Sequence, residues 1–133
     1  KMDADMAACI RHGDILGFLN GGAGRRMKAA ARAGTLWREQ PFVLGGDARE
    51  MYPEEQEGEL ILVQGIIDAY FEEADGLVVL DYKTDQIYTP EGLIERYQSQ
   101  LDYYAKALEQ LTQKKVKEKI IYSFTIKKEI RLP

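Results

Sequence analysis

The stretch GIIDAYFEEADGLVVLDYKTD, residues 65–85, decides how this chain is read. Asp75-Gly76 is a hairpin-type turn signal, and the runs around it, residues 60–71 and 77–83, are rich in strand-forming residues. Folding two antiparallel strands about that turn brings Asp68 back beside Asp81, and the two-residue period of a strand puts Asp81 and Lys83 on one face. Charges are costly in strands that otherwise bury Ile, Val and Leu, unless something pairs with them. Two neighbouring carboxylates repel each other and raise a pKa unless a cation sits between them. A hard cation such as Mg²⁺ suits that place, since it takes oxygen ligands, keeps several waters and binds through one or two carboxylates plus a substrate phosphate. A lysine beside such an ion stabilises charge on a phosphoryl group or activates an ion-associated water. The set points to phosphodiester hydrolysis. Spacing alone leaves a second reading open, an acidic turn with Lys83 in an ordinary surface salt bridge.

Upstream, TLWREQPFVLG at residues 35–45 reads as a strand. Trp37, Glu39, Pro41 and Val43 share one parity, and Leu36, Arg38, Gln40 and Phe42 the other. Pro41 makes it an edge strand or places a bulge there. Glu39 offers a third carboxylate, while Trp37 and Phe42 are expected in the core. Residues 45–59, with Glu50, Glu54, Glu55, Glu57 and Glu59, read as a solvated acidic loop. The chain starts with short amphipathic helices at residues 2–10 and 14–19, the second with Asp14 as N-cap. A third helix at residues 25–33 stops at Gly34.

Downstream, Pro90 occupies the first turn of a long helix reaching to about residue 113. Leu93, Tyr97, Gln100, Leu101, Tyr104, Leu108 and Leu111 follow its three- and four-residue spacing. Gln100 and Tyr104 project together, suiting a phosphate or base contact or an orienting bond to the carboxylates. Asp85 reads as an N-cap or a contact to Lys83. One or two strands close the chain, KEKIIYSFTI at residues 117–126 and then a short tail. The order is that of an α+β or mixed α/β sandwich around one sheet. Residues 1–133 form a single domain, with a helical part at 1–34 and a catalytic core at 35–133.

Bulk properties narrow the partners. At 133 residues and 45% hydrophobic composition the chain supports one real core. Its net charge of −4 requires that any nucleic acid be met by a local basic patch or a neighbouring domain. A single cysteine, Cys9, excludes an internal disulfide framework and a cysteine-rich zinc or iron–sulfur site. No apolar run is long enough to span a bilayer, and no membrane partner is expected. The chain opens at Lys1 in mid-pattern, which reads as a piece of something longer.

The sequence GIID, then DGLVVLDYKTD, then QSQLDYYAKAL, preceded by REQPF, resembles the RecB-type branch of the PD-(D/E)xK nuclease superfamily. The nearest likeness is to the nuclease domain that ends the A subunits of AddAB-type helicase–nucleases, and it covers the chain from about residue 25 onward. The four motifs occur in order and at the matching spacing. The resemblance implies a restriction-endonuclease-like core in α-β-β-β-α-β order, a central mixed sheet flanked by helices. It implies Asp68, Asp81 and the main-chain carbonyl of Tyr82 as metal ligands, and Lys83 as the catalytic lysine. Glu39 matches the acidic position of REQPF, and Gln100 and Tyr104 the Q-x-x-x-Y helix motif. Implied with them are Mg²⁺, with Mn²⁺ as the alternative, and DNA as substrate, single strands from a duplex unwound by an ATP-dependent helicase. A second subunit of the B type, a cytoplasmic location and a role in double-strand-break repair and recombination also follow. The B-type nuclease carries an iron–sulfur cysteine set that Cys9 alone cannot supply.

Two departures stand out. This branch usually carries a metal-binding His on an upstream helix, and His12, within IRHGD, does not match that motif. The His is expected ahead of residue 1, which leaves the 133 residues alone weakly active or inactive. Ile67 stands where the superfamily name has Pro, a variation normal for the branch. A non-catalytic, nuclease-like DNA-binding or subunit-docking module is the alternative. Two basic groups, Arg25, Arg26, Lys28 and Arg32 early and Lys114, Lys115, Lys117, Lys119, Lys127, Lys128 and Arg131 late, offer DNA-backbone contacts or serve as solvated faces. Tyr97, Tyr103 and Tyr122 are read as core rather than as base-stacking groups.

Overall fold

Gly76 turns the chain where a side chain would not fit. Its φ of 153° disfavours L residues, and a Cβ there would stand 2.9 Å from the Lys115 carbonyl oxygen. This turn joins β2 (Leu60–Glu73) to β3 (Gly76–Lys83) in the computed structural model, which describes residues 12–47 and 60–133. Two helices precede them, α1 (His12–Asn20) and α2 (Gly22–Ala33), followed by β1 (Leu36–Asp47). After β3 come α3 (Pro90–Thr112), β4 (Val116–Ser123) and β5 (Lys128–Leu132).

The sheet order is β1-β2-β3-β4-β5, with only the β3–β4 pair parallel. A parallel pair needs a long crossover, and α3 supplies it. The central β3 therefore has helices over both faces and reads as a continuous apolar run, Leu77 to Leu80, rather than an alternating one. On one face Ala69, Phe71, Val78, Leu80, Ile120 and Tyr122 pack under Phe18, Ala23, Met27 and Ala30 of α1 and α2. On the other, Ile67, Val79, Ile121 and Ile130 pack under Leu93, Leu101, Tyr104 and Leu108 of α3.

Local chemistry fixes the helix ends. Gly34, at φ 76°, closes α2: its N–H reaches Ala31 O, and the Thr35 N–H reaches Ala30 O. The Thr89 hydroxyl accepts the Gly92 N–H and Pro90 follows as the first helical residue, so α3 starts where expected. Close packing of α2 on α1 needs Gly24, where a Cβ would fall 2.1 Å from Phe18 O.

Some expectations are corrected. Asp14 lies inside α1 and is not its cap. Residues 45–47 continue β1; of the one or two closing strands expected there are two, the tail residues Lys128–Leu132 forming β5 against β4. Trp37 is not core: it is 39% exposed and stacks on Tyr70 at 5.0 Å between ring centroids. Tyr103 is half-buried at the rim of a groove, whereas Tyr122 is core. The helix expected at residues 2–10, Cys9, and residues 48–59 of the acidic loop lie outside the described residues.

Candidate active site

Alternation fails in β1 and β2 at one level. In β2, Ala69 packs toward α1 and α2 while Ile67, two residues away, packs toward α3. In β1, Trp37 stacks on Tyr70 and Phe42 meets Tyr104, both on the α3 side although five residues apart. The interruption falls at Glu39 and Asp68, opposite each other between the pairs Arg38↔Ala69 and Gln40↔Ile67. Glu39 adopts a left-handed backbone, φ 52°, which an L residue other than glycine takes up only under constraint. The face assignment by parity across residues 37–43 is thereby overturned, because period two holds only while the backbone stays extended.

The β2–β3 ladder stops at Ala69↔Leu80, and the Asp68 side chain takes over the next rung, its Oδ2 accepting the Tyr82 N–H at 2.9 Å. Asp68 is thus brought to Asp81, as the hairpin predicts. Asp81 is 3% exposed and shares the status of buried polar side chain, among the described residues, with Ser123 alone. Burial first, and then the Asp68 carboxyl beside it, push the Asp81 carboxyl well above the usual carboxylate range, with Lys83 opposing. Lys83 Nζ stands 2.9 Å from Asp81 Oδ2. The ammonium is the group that meets this buried oxygen.

Lys83 is held from three sides. Besides Asp81, its Nζ donates to Gln100 Oε1 at 2.9 Å and lies 4.0 Å from the centroid of the Tyr97 ring. Tyr97 donates to Asp85 Oδ2, so Asp85 secures this ring and is neither an N-cap nor a contact of Lys83. The sequence reading missed Tyr97 as part of the site. Its signal was its place three residues before Gln100 on the same helix stripe. Tyr104 is 8% exposed, and burial first, then Asp81 and Asp68, raise its phenol far above normal. Beyond β3, the Phe124 N–H takes the Lys83 carbonyl at 2.9 Å and the Thr125 hydroxyl takes those of Thr84 and Asp85, which pins the lysine's backbone.

Two grooves open near the site, one at Asp68 and one at Gln100 and Tyr104. One, about 340 Å³, has apolar walls from Phe18, Met27 and Phe124 and a polar mouth of Arg38, Glu39 and Asp68. The other runs past Phe42, Gly65, Gln100, Tyr103 and Tyr104. Glu39 shares the first groove with Asp68. Among the described residues no group of three metal-ligating side chains gathers at Asp68 and Asp81.

A profile of the PD-(D/E)XK nuclease superfamily matches residues 6–131. The chain belongs to that superfamily. Its five-stranded mixed sheet with helices on both faces is the restriction-endonuclease-like α/β fold of these nucleases. It is also similar to the A subunits of bacterial proteins called ATP-dependent helicase/nucleases. Identity is 43% with the one from Lachnoclostridium phytofermentans, over 81% of this chain and 10% of the relative. It is 50% with that of Thermoanaerobacter sp. strain X514, over 83% and 9%, and 43% with that of Clostridium novyi, over 96% and 11%. The chain therefore spans about a tenth of the length of these relatives. Nucleases of this superfamily generally use divalent metal ions. The residues fit one: two adjoining carboxylates, one of them buried and raised in pKa by its burial and by the other, leave a place that a hard cation completes. No helix among the described residues is long and apolar enough to cross a membrane.

Proposed function

We propose that this nuclease domain hydrolyses DNA phosphodiester bonds with Mg²⁺ held by Asp68, Asp81 and the main-chain carbonyl of Tyr82, Mn²⁺ serving in its place. The observation that carries the reading is the buried Asp81, set against Asp68 and 2.9 Å from a lysine that three neighbours hold in place. When bound, the metal polarises the phosphate and lowers the pKa of a coordinated water. Lys83 brings positive charge to the phosphoryl oxygens as the water attacks and the leaving oxygen departs. Gln100 and Tyr97 hold its Nζ beside Asp81, and Tyr104 closes the α3 side behind the carboxylates. Glu39 adds a carboxylate at the groove mouth for an outer-sphere water. Residues 35–133 act as the catalytic core and 1–34 as a helical wall.

In the parent protein the domain would cut single strands delivered by an ATP-dependent helicase motor, beside a second subunit of the B type, in cytoplasmic double-strand-break repair and recombination. The name that the relatives carry, that of a helicase/nuclease, supports that setting. Mg²⁺-dependent cleavage of single-stranded DNA by the full-length parent tests it. Asp68→Ala and Lys83→Ala are each expected to lose cleavage by about 10²-fold or more. Cleavage by both at the wild-type rate refutes the assignment.

A second reading, a nuclease-like module that only binds DNA or a partner protein, draws on the presence of just two converging carboxylates among the described residues. Titration of the parent with Mg²⁺ or Mn²⁺ separates them, since that module would show no metal binding dependent on Asp68.

A further inference from the structure

Five of the basic residues that the sequence offers for phosphate contact are already paired with carboxylates. Lys114 pairs with Glu72 at 2.7 Å, Lys117 with Glu73 at 2.8 Å, Lys119 with Asp102 at 2.6 Å and Arg26 with Glu73 at 2.7 Å. Arg131 stands 3.5 Å from Glu118. A cation already paired with a carboxylate gives up that pair to meet a phosphate, and so contributes little to DNA affinity.

Arg38 differs from these five in three respects. It is exposed and, among the described residues, forms no ion pair. It lines the same groove as Asp68 and Glu39, and its charge reaches the Tyr82 phenol, on the strand that carries Asp81 and Lys83. Its backbone pairs with Ala69 in regular register immediately before the break at Glu39, so the side chain leaves a rigid strand at the edge of the site. A cation beside two carboxylates would ordinarily be expected to pair with them. Here Asp68 is turned instead to the Tyr82 N–H.

We infer that Arg38 binds a phosphate of the DNA strand lying across Asp68 and Asp81, and so positions that strand for cleavage. The guanidinium presents a planar fork that takes two phosphate oxygens at once, which a lysine ammonium does not. The groove wall beyond Arg38 is apolar, so a phosphate held at its mouth has no other cation among the lining residues to compete for it. The inference rests on the nuclease reading of the same site, and its test is built to fail separately.

The test uses the full-length parent without ATP, a short single-stranded oligonucleotide and Mg²⁺, comparing wild type, Arg38→Ala, Arg38→Lys and Asp68→Ala across a salt series. Arg38→Ala is expected to raise KM about tenfold or more with a smaller change in kcat, and to flatten the log KM against log salt slope by roughly one unit. Arg38→Lys should restore the salt slope but only part of the KM, because charge returns without the fork. The melting temperature should stay at the wild-type value, since no described ion pair is lost. If Arg38→Ala keeps the wild-type KM and salt slope while Asp68→Ala abolishes cleavage, the Arg38 assignment falls and the nuclease reading stands. If wild type does not cleave, fluorescence anisotropy on the same oligonucleotide still decides: equal affinity of wild type and Arg38→Ala overturns the inference.

Discussion

Glu39 sits in a conformation that glycine adopts freely and other L residues do not, φ 52° in the middle of a strand. Such positions persist when the surroundings over-determine them, and they cluster where a strand must re-aim its side chains. Here the re-aiming serves Asp68, directly opposite, which leaves the ladder to accept the Tyr82 N–H. The strain is measurable apart from the carboxylate. Glu39→Ala and Glu39→Gly both remove the side-chain charge, but only glycine relieves the backbone, so the Gly variant should be more stable than the Ala variant by about 1 kcal/mol in urea unfolding. Equal stability would show that the left-handed turn is unstrained. The distinction also marks what could be read from residues alone. Asp68, Asp81 and Lys83 were legible because a hairpin turn and period two suffice to bring them together. The face of Glu39 was not, because the parity rule assumes the extended backbone that Glu39 abandons.

At the scale of elements, α2 begins without a cap of its own. Gly21 precedes it and has no side chain to accept the free N–H groups of the first turn. The acceptor comes from β5 instead, where Glu129 takes the Ala23 N–H at 2.6 Å across 106 residues of sequence. A carboxylate there also meets the positive end of the helix dipole. Because this bond ties the last strand to the helix that covers the first hydrophobic face, Glu129→Ala should lower stability by about 1 kcal/mol, read as a downward shift of the melting temperature. Glu129→Gln, which keeps an acceptor without the charge, should recover part of it. If the Ala variant melts with wild type, the cap contributes nothing. By contrast α3 was legible end to end, since Thr89, Pro90 and the apolar stripe from Leu93 to Leu108 are local signals. A cap supplied from the opposite end of the chain leaves no local trace, and neither does a five-residue edge strand whose pairing partner defines it.

Across the whole molecule the charges gather at opposite ends of β3 and do opposite things. At the candidate site, Asp81 is buried with its pKa raised, an arrangement that costs stability once the carboxyl ionises. At the turn end, Arg26 bridges Glu73 and Glu118, and Lys117 joins Glu73 to Asp75, so α2, the hairpin and β4 are held in one ionic network. None of this network was predictable from composition, which showed only mixed charge and a net of −4. Its partners come from three segments that the fold alone brings together. Its pH signature is nevertheless specific. The Arg26 hydrogen bonds, assisted by Lys117 and opposed by desolvation, hold the Glu73 carboxyl down from 4.5 to about 2. A group whose folded pKa is depressed stabilises the fold above its unfolded pKa and loses that contribution as pH falls through the folded value. Glu73 therefore contributes fully above about pH 4.5, and its contribution disappears between there and about pH 2. Melting temperatures of wild type and Glu73→Gln, measured in low salt from pH 7 downward, should differ by a constant amount to about pH 5 and converge below it. A gap that persists unchanged to pH 2 would mean that Glu73 acts through packing, and that the ionic network is not what binds this end of the sheet to α2.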